Sequence, residues 1–152
     1  MTLTVEWRNG NSVLPEHCLM LIAFPGVGNV GKAAIDAVNS VNEATQVARL
    51  YDTSLPPLAC LDEDGLLAPP HYTLSSIESA TGKTVLTLTG STQPVDPNSQ
   101  GMLANEIMKF FMEQGVSELV VMAGLGSEPS RKETFIVASN SSHRIELESR
   151  GV

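Results

Sequence analysis

The stretch Leu19-Met20-Leu21-Ile22-Ala23-Phe24-Pro25-Gly26-Val27-Gly28-Asn29-Val30-Gly31-Lys32 constrains the fold more than any other part of the chain. It reads as a buried strand, a glycine-rich turn and the start of a helix. Gly26, Gly28 and Gly31 spell the dinucleotide fingerprint G-x-G-x-x-G, and Gly26 with Gly31-Lys32 spells most of a P-loop.

The P-loop reading fails on chemistry. Its lysine must be followed by a hydroxyl that coordinates magnesium, and Ala33 has none. The apolar runs that could bring a partner acid end in glycine instead, Leu119–Ala123 at Gly124 and Thr84–Thr89 at Gly90. The dinucleotide reading asks for an acid about twenty residues on, at the end of the second strand. Val47-Ala48-Arg49-Leu50-Tyr51 is such a strand and Asp52 closes it. Two plainer readings stand beside it. The glycines permit a tight turn and close helix packing without any ligand, and Asp52 opens the turn that runs through Pro56-Pro57.

The rest of the chain alternates strand and helix, the pattern of a layered α/β fold. Residues 3–8 are expected to form an entering edge strand, and 19–24 a core strand covered on both faces. Val30, Ala34, Ala37, Val38 and Val41 recur at helical spacing, giving a helix over about 30–40 with one apolar face. Residues 44–51 give the second strand. The stretch 53–71, with its turn Asp62-Glu63-Asp64-Gly65, reads as an extended excursion or small hairpin. Residues 84–89 form a third strand, and Asp96-Pro97 caps a helix whose buried face is Leu103, Ile107, Phe110 and Phe111. Gly115 stops that helix, and Met102, Met108 and Met112 read as core filler or flank. A fourth strand is expected at 119–123 and a fifth at Thr134–Ala138.

At 152 residues the chain is expected to be one domain spanning 1–152. Its longest apolar run is far too short to cross a bilayer, and its first residues lack the layout of a secretion signal. Nine basic against seventeen acidic residues give a net charge of −8, and only Arg131-Lys132 forms a basic pair, so neither nucleic acid nor a membrane is an expected partner. Cys18 and Cys60 lack motif spacing and read as free thiols of a cytoplasmic protein, Cys18 behaving as a small hydrophobe. His17, His71 and His143 are scattered, so no metal site is expected.

The glycine turns at 26–31, 90 and 124–126 each follow the carboxyl end of an expected strand. In a parallel sheet they share one edge, where α/β proteins place ligand crevices. Gly26, Gly28, Asn29, Gly31, Lys32, Gly90, Gln93, Gly124 and Gly126 are therefore the candidate anion- or ligand-binding edge. Ser91, Thr92 and Ser127 offer hydroxyls there without an activating histidine. No catalytic residue and no cofactor is expected.

Three segments, in order, resemble the type-two branch of the proteasome assembly chaperone family, which has archaeal and bacterial relatives. Phe24-Pro25-Gly26-Val27-Gly28-Asn29-Val30-Gly31-Lys32 is similar to the family's opening Pro-Gly-Val-Gly-Asn-Val-Gly signature. Thr89-Gly90-Ser91-Thr92-Gln93-Pro94 is similar to its Thr-Gly-x-x-Gln-Pro turn, and Gly124-Leu125-Gly126 to its later glycine turn. Leu55-Pro56-Pro57 falls where members often carry a proline pair. The resemblance covers about residues 17–140. It implies a three-layer α/β/α fold of the phosphorylase/hydrolase-like class, with a mixed, mainly parallel sheet. It implies a non-enzymatic assembly chaperone or protein-binding module that self-associates and has proteasome α-subunits as partners.

Members that dock on α-subunit rings end in a hydrophobic residue, a tyrosine and one more residue, whereas this chain ends Ser149-Arg150-Gly151-Val152. Members are also longer, so the expectation is a short member or a fragment whose uncovered apolar surface calls for a partner. The alternative is a small-molecule enzyme or sensor that binds a nucleotide or phosphate at the glycine-rich strand ends.

Overall fold

The computed structural model describes residues 3–62, 65–126, 128 and 134–151. The expected Glu63-Asp64 turn positions, Ser127 and the Arg131-Lys132 pair lie outside the described residues. Strands β1 (Thr4–Trp7), β2 (Leu19–Ile22), β3 (Thr45–Tyr51), β6 (Tyr72–Glu78), β7 (Thr84–Gly90) and β8 (Leu119–Val121) form one sheet in the order β1-β3-β6-β7-β2-β8. The short strands β4 (Cys60–Leu61) and β5 (Leu67–Ala68) pair as the small hairpin foreseen in the excursion after β3.

β2 pairs in parallel with both β7 and β8, while β1–β3, β3–β6 and β6–β7 are antiparallel. Four strands, β2, β3, β7 and β8, thus run one way, and β1 and β6 run against them. β6 has no counterpart in the sequence reading. Its centre carries Ser75 and Ser76, which dilute the apolar signal, and a turn at Ser79–Lys83 with Gly82 at φ 72° returns the chain into β7.

Helices stand on both faces. α2 (Pro97–Glu113) begins as expected at Asp96, whose carboxylate accepts the Ser99 N–H at 2.8 Å. It buries Leu103, Ile107 and Phe111 against Met20, Ile22, Leu50, Leu74, Leu86 and Leu88, which makes this side of the sheet the core. α1 (Val30–Val41) lies on the other side, where Thr87 donates from its hydroxyl to Asn39 Oδ1 at 2.8 Å. The three-layer arrangement is the expected one.

The α1 face corrects two expectations. α1 buries Gly31 and Ile35, whereas Val30, Ala34, Ala37 and Val41 are exposed, so the apolar stripe does not face the sheet. The sheet beneath presents Arg49, Thr73, Ser75, Thr87 and Thr89, polar groups that an apolar stripe cannot satisfy. β2 is consequently covered on one face rather than two, with Met20 and Ile22 buried but Leu19 and Leu21 half-buried. Cys18 is exposed rather than packed as a small hydrophobe, while Met102, Met108 and Met112 on α2 are exposed and take the flank alternative.

The fifth strand is absent among the described residues. Thr134–Ala138 makes no ladder, and Phe135, Ile136 and Val137 are exposed at 65%, 50% and 95%. High β-propensity does not form a strand without a neighbour to pair with. The following helix α3 (Ser141–Ser149) begins after Asn140, whose Oδ1 caps it by accepting the His143 N–H, and it buries no residue.

Candidate functional site

Because β2, β7 and β8 are co-directional, their carboxyl ends and all three glycine turns share one edge of the sheet. The glycines there hold backbone against backbone. A Cβ on Gly31 would stand 2.3 Å from the Met122 carbonyl oxygen, and one on Gly124 would stand 2.3 Å from the Val27 carbonyl oxygen. The first turn of α1 and the exit of β8 are therefore interlocked at two points. Gly28 serves a different need, with φ 63° in the turn before α1, and Asn29 follows at φ 52°. Gln93 ties the third turn in by donating its side-chain amide to the Pro25 carbonyl. Gly90 admits the ring of Tyr72, whose nearest atom would lie 2.4 Å from an added Cβ; Phe24 packs on the same ring at 4.3 Å between centroids.

This packing sorts the nine candidate residues. Gly26, Gly31, Gln93 and Gly124 converge on a cleft of about 150 Å³ whose lining also includes Phe24, Val27, Val30 and Met122. Lys32 and Gly90 line a separate and wider trough, and Gly28, Asn29 and Gly126 line neither. Lys32 is engaged by both carboxylate oxygens of Asp36 one turn along the helix. Asp52 takes the second of its two sequence readings. Its Oδ1 accepts the Ser54 N–H at 2.8 Å and so opens the turn after β3. It does not meet the dinucleotide requirement, because β3 is three strand positions from β2, about 14 Å at the usual strand spacing. Burial, with the Asp52 carboxylate adding to it, pushes the neighbouring Tyr72 hydroxyl well above the usual phenol range.

The trough, about 1070 Å³ and open to solvent, lies between α1 and the β4–β5 hairpin. Its floor is Arg49, Thr73, Ser75 and Thr89, and its α1 wall is Lys32, Asp36, Asn39 and Ser40. Most of its polar groups are engaged within the fold. Arg49 pairs with Asp62 at 3.3 Å, with the two side chains only 6% and 7% exposed, and Thr87 is bonded to Asn39. These residues were missed by sequence reasoning, although the alternation Leu86-Thr87-Leu88-Thr89 carries the signal of a strand with one polar face. Ser91 lines the trough and Thr92 bonds to the Gln93 carbonyl. Among the described residues no three His, Cys, Asp or Glu side chains are grouped to hold a metal, and no helix is long and apolar enough to cross a membrane.

Comparison with known proteins places this architecture. The chain is 24% identical over 130 residues to an uncharacterized protein of Methanocaldococcus jannaschii, covering 86% of this chain and 50% of the relative. Its fold matches that of Pyrococcus furiosus PbaB, an archaeal proteasome activator, with a TM-score of 0.69 at 20% identity over 86% of this chain and 55% of that one. It also matches Pyrococcus furiosus PbaA, an archaeal homolog of proteasome-assembly chaperone, with a TM-score of 0.67 at 20% identity over 99% of this chain and 62% of that one. The chain thus spans about half the length of the curated relative it matches. The sequence model of the PAC2 family matches residues 20–151, and the chain belongs to that family.

Proposed function

We propose that this chain is a non-enzymatic, protein-binding assembly module whose partners are proteasome subunits, the α-subunits first among them. The observation that carries the reading is the division of labour between its two sides. The glycine turns that resemble nucleotide loops are filled by the protein's own backbone, while apolar side chains that a monomer would bury are turned outward. Val27, Val30, Val41, Val120 and Val121 are between 45% and 82% exposed on β8, on α1 and in the turn before it. Exposed apolar side chains in such number call for a protein contact. Family membership and the likeness to PbaA and PbaB supply the class of partner. Self-association, a cytoplasmic location and a single domain over residues 1–152 belong to the same proposal.

The test is a pull-down of proteasome α-subunits from the same cell, coupled to an assay of ring formation. Binding that raises the yield or rate of rings supports the role. Absence of binding and of any effect on rings removes the chaperone function and leaves the family fold.

The glycine edge carries the second reading, in which Gly26, Gly31, Gln93 and Gly124 receive a phosphate-bearing ligand. Their convergence favours it, but a cleft of about 150 Å³ is smaller than the ~300–1,000 Å³ of ordinary small-molecule sites. A thermal-shift panel of ATP, NAD, nucleosides and inorganic phosphate tests it. A ligand at a hundredfold excess over its Kd stabilises the fold by about 2.7 kcal/mol, and a flat panel eliminates this reading.

A further inference from the structure

The floor of the trough between α1 and the β4–β5 hairpin holds hydroxyls that the fold does not use. Thr73 and Ser75 alternate along β6 with the core residues Tyr72 and Leu74, and so stand on the α1 side of the sheet. Thr73 is in register with Thr89 of β7, which makes the three hydroxyls one patch. Ser75 is 5% exposed and Thr89 8%, yet neither hydroxyl, nor that of Thr73, has a hydrogen-bond partner among the described residues. Buried polar groups are ordinarily bonded, as the neighbouring Thr87 is to Asn39. Hydroxyls so deeply set on the floor of an open trough find their partners in what the trough binds.

The lining selects the occupant's chemistry. Three cations, Arg8, Lys32 and Arg49, stand with three carboxylates, Asp36, Glu43 and Asp62. Lys32 is held by Asp36, Arg49 by Asp62 and Arg8 by Glu6, so no cation is left over to draw in an anion. Seating a charge there without a partner is costly. Among the described lining residues the only ring is that of His71, which already packs on Tyr51 at 5.4 Å between centroids, so a base finds no free platform for stacking. What remains is neutral hydrogen-bonding capacity. Asn39 adds to the hydroxyls, because Thr87 takes its Oδ1 and leaves its Nδ2. Leu61, 73% exposed on the hairpin wall, supplies an aliphatic contact. The trough follows α1 from Lys32 to Glu43, about 16 Å at the helical rise, which is the span of about five residues of extended chain.

We propose that the trough binds an extended, uncharged peptide segment of a partner protein, with Thr73, Ser75 and Asn39 hydrogen-bonding its main chain and Leu61 covering one of its apolar side chains. Recognition is by side chains and not by strand addition, since the floor strands β3, β6 and β7 are each paired on both sides. Every lining residue falls between Arg8 and Ser91, so one continuous part of the fold builds the whole site. The proposal rests on the protein-binding reading above and adds to it a surface and the chemistry of the segment that surface takes.

The test titrates the isotope-labelled chain with three pools of end-blocked pentapeptides. One pool is drawn from alanine, serine, asparagine, valine and leucine; the others carry a central glutamate or a central lysine. The uncharged pool should shift the amide signals of Thr73, Ser75 and Asn39 and leave those of Leu103 and Ile107 in place, and the charged pools should shift neither set. Thr73→Val and Ser75→Ala remove hydroxyls that bond to nothing within the fold. Each should leave Tm unchanged and weaken binding of the uncharged pool about fivefold, the effect of one hydrogen bond. The proposal is overturned by charged pools that bind as well as the uncharged one, by binding that both variants leave intact, or by trough amides that ignore every pool at millimolar concentration. The α-subunit pull-down reads the assembly role separately. Capture of α-subunits by a chain whose trough ignores every pool keeps the role and removes the peptide site. An uncharged pool bound by a chain that captures no α-subunit keeps the peptide site and removes the role.

Discussion

Gly31 of α1 meets the carbonyl of Met122 so closely that a methyl group at its Cα would stand 2.3 Å from the oxygen. Helix and strand exit are in backbone contact, and no rotamer of any other residue relieves that approach. Gly31→Ala should therefore destabilise the fold by about 1–3 kcal/mol or more, read as a lower urea midpoint. Gly101→Ala is the internal contrast. Gly101 sits in α2 with nothing within 4 Å of its added Cβ, and helix propensity alone should stabilise that variant by up to about 1 kcal/mol. Equal and small effects at the two sites would refute the close-approach account.

The buried Arg49–Asp62 pair ties the β4–β5 hairpin to the centre of the sheet. Asp62→Ala leaves a guanidinium without its carboxylate in a nearly dry site, and should cost about 3–5 kcal/mol. The double replacement Arg49→Met, Asp62→Leu should recover most of that loss. Chemical denaturation of the three proteins decides; a double variant no better than Asp62→Ala would mean that the pair does more than satisfy itself.

Asp96 caps α2, and the N–H of Ser99 bonded to its carboxylate holds its pKa below the usual 3.8. A group whose folded pKa is depressed stabilises the fold above its unfolded value and loses that contribution as the pH falls through the folded one. Asp96→Ala should thus lower Tm at pH 7, and the gap from the native protein should narrow from about pH 3.8 downward. The site is exposed, so added salt should shrink the charge component. A gap that stays constant down to about pH 2.5 would contradict the assignment.

Salt should tighten self-association. Two chains of charge −8 repel, so screening should favour the self-association proposed above. Sedimentation equilibrium in low salt and in roughly 0.5 M NaCl reads the effect. Dissociation on adding salt would point to ion pairs between copies.

Much of this architecture is legible in the sequence because it is local. The run 19–24 with its glycines, the Asp96-Pro97 cap and the stop at Gly115 specify element and boundary without reference to the rest of the chain. What was not legible depends on partners distant in sequence. Periodicity identifies an apolar stripe on α1 but cannot tell which way it faces, since that depends on the polar side chains of β3, β6 and β7. The Arg49–Asp62 pair joins a strand to an excursion, and nothing in the spacing announces it. At Thr134–Ala138 propensity spoke for a strand and pairing did not follow. The glycine edge lies where strand order suggests, yet the same spacing serves a ligand or a backbone interlock, and only the distances to Met122 and Val27 reveal the interlock.

The sheet also sets the order in which these features can form. Leu74 pairs with Leu88 across a short hairpin, whereas Met20 must find Leu119, 99 positions along the chain. Loop closure makes such distant pairings slow, so the antiparallel meander β3–β6–β7 should condense first and the parallel strands β2 and β8 join it late. The interlock of Gly31 and Met122 then lies on the late side of the folding barrier. Gly31→Ala should accelerate unfolding while leaving the refolding rate nearly unchanged. The end of the molecule that bears the family's glycine signature is accordingly the end that opens first, and amide exchange should be fastest at Val120 and Val121 and slowest at Leu74 and Leu88.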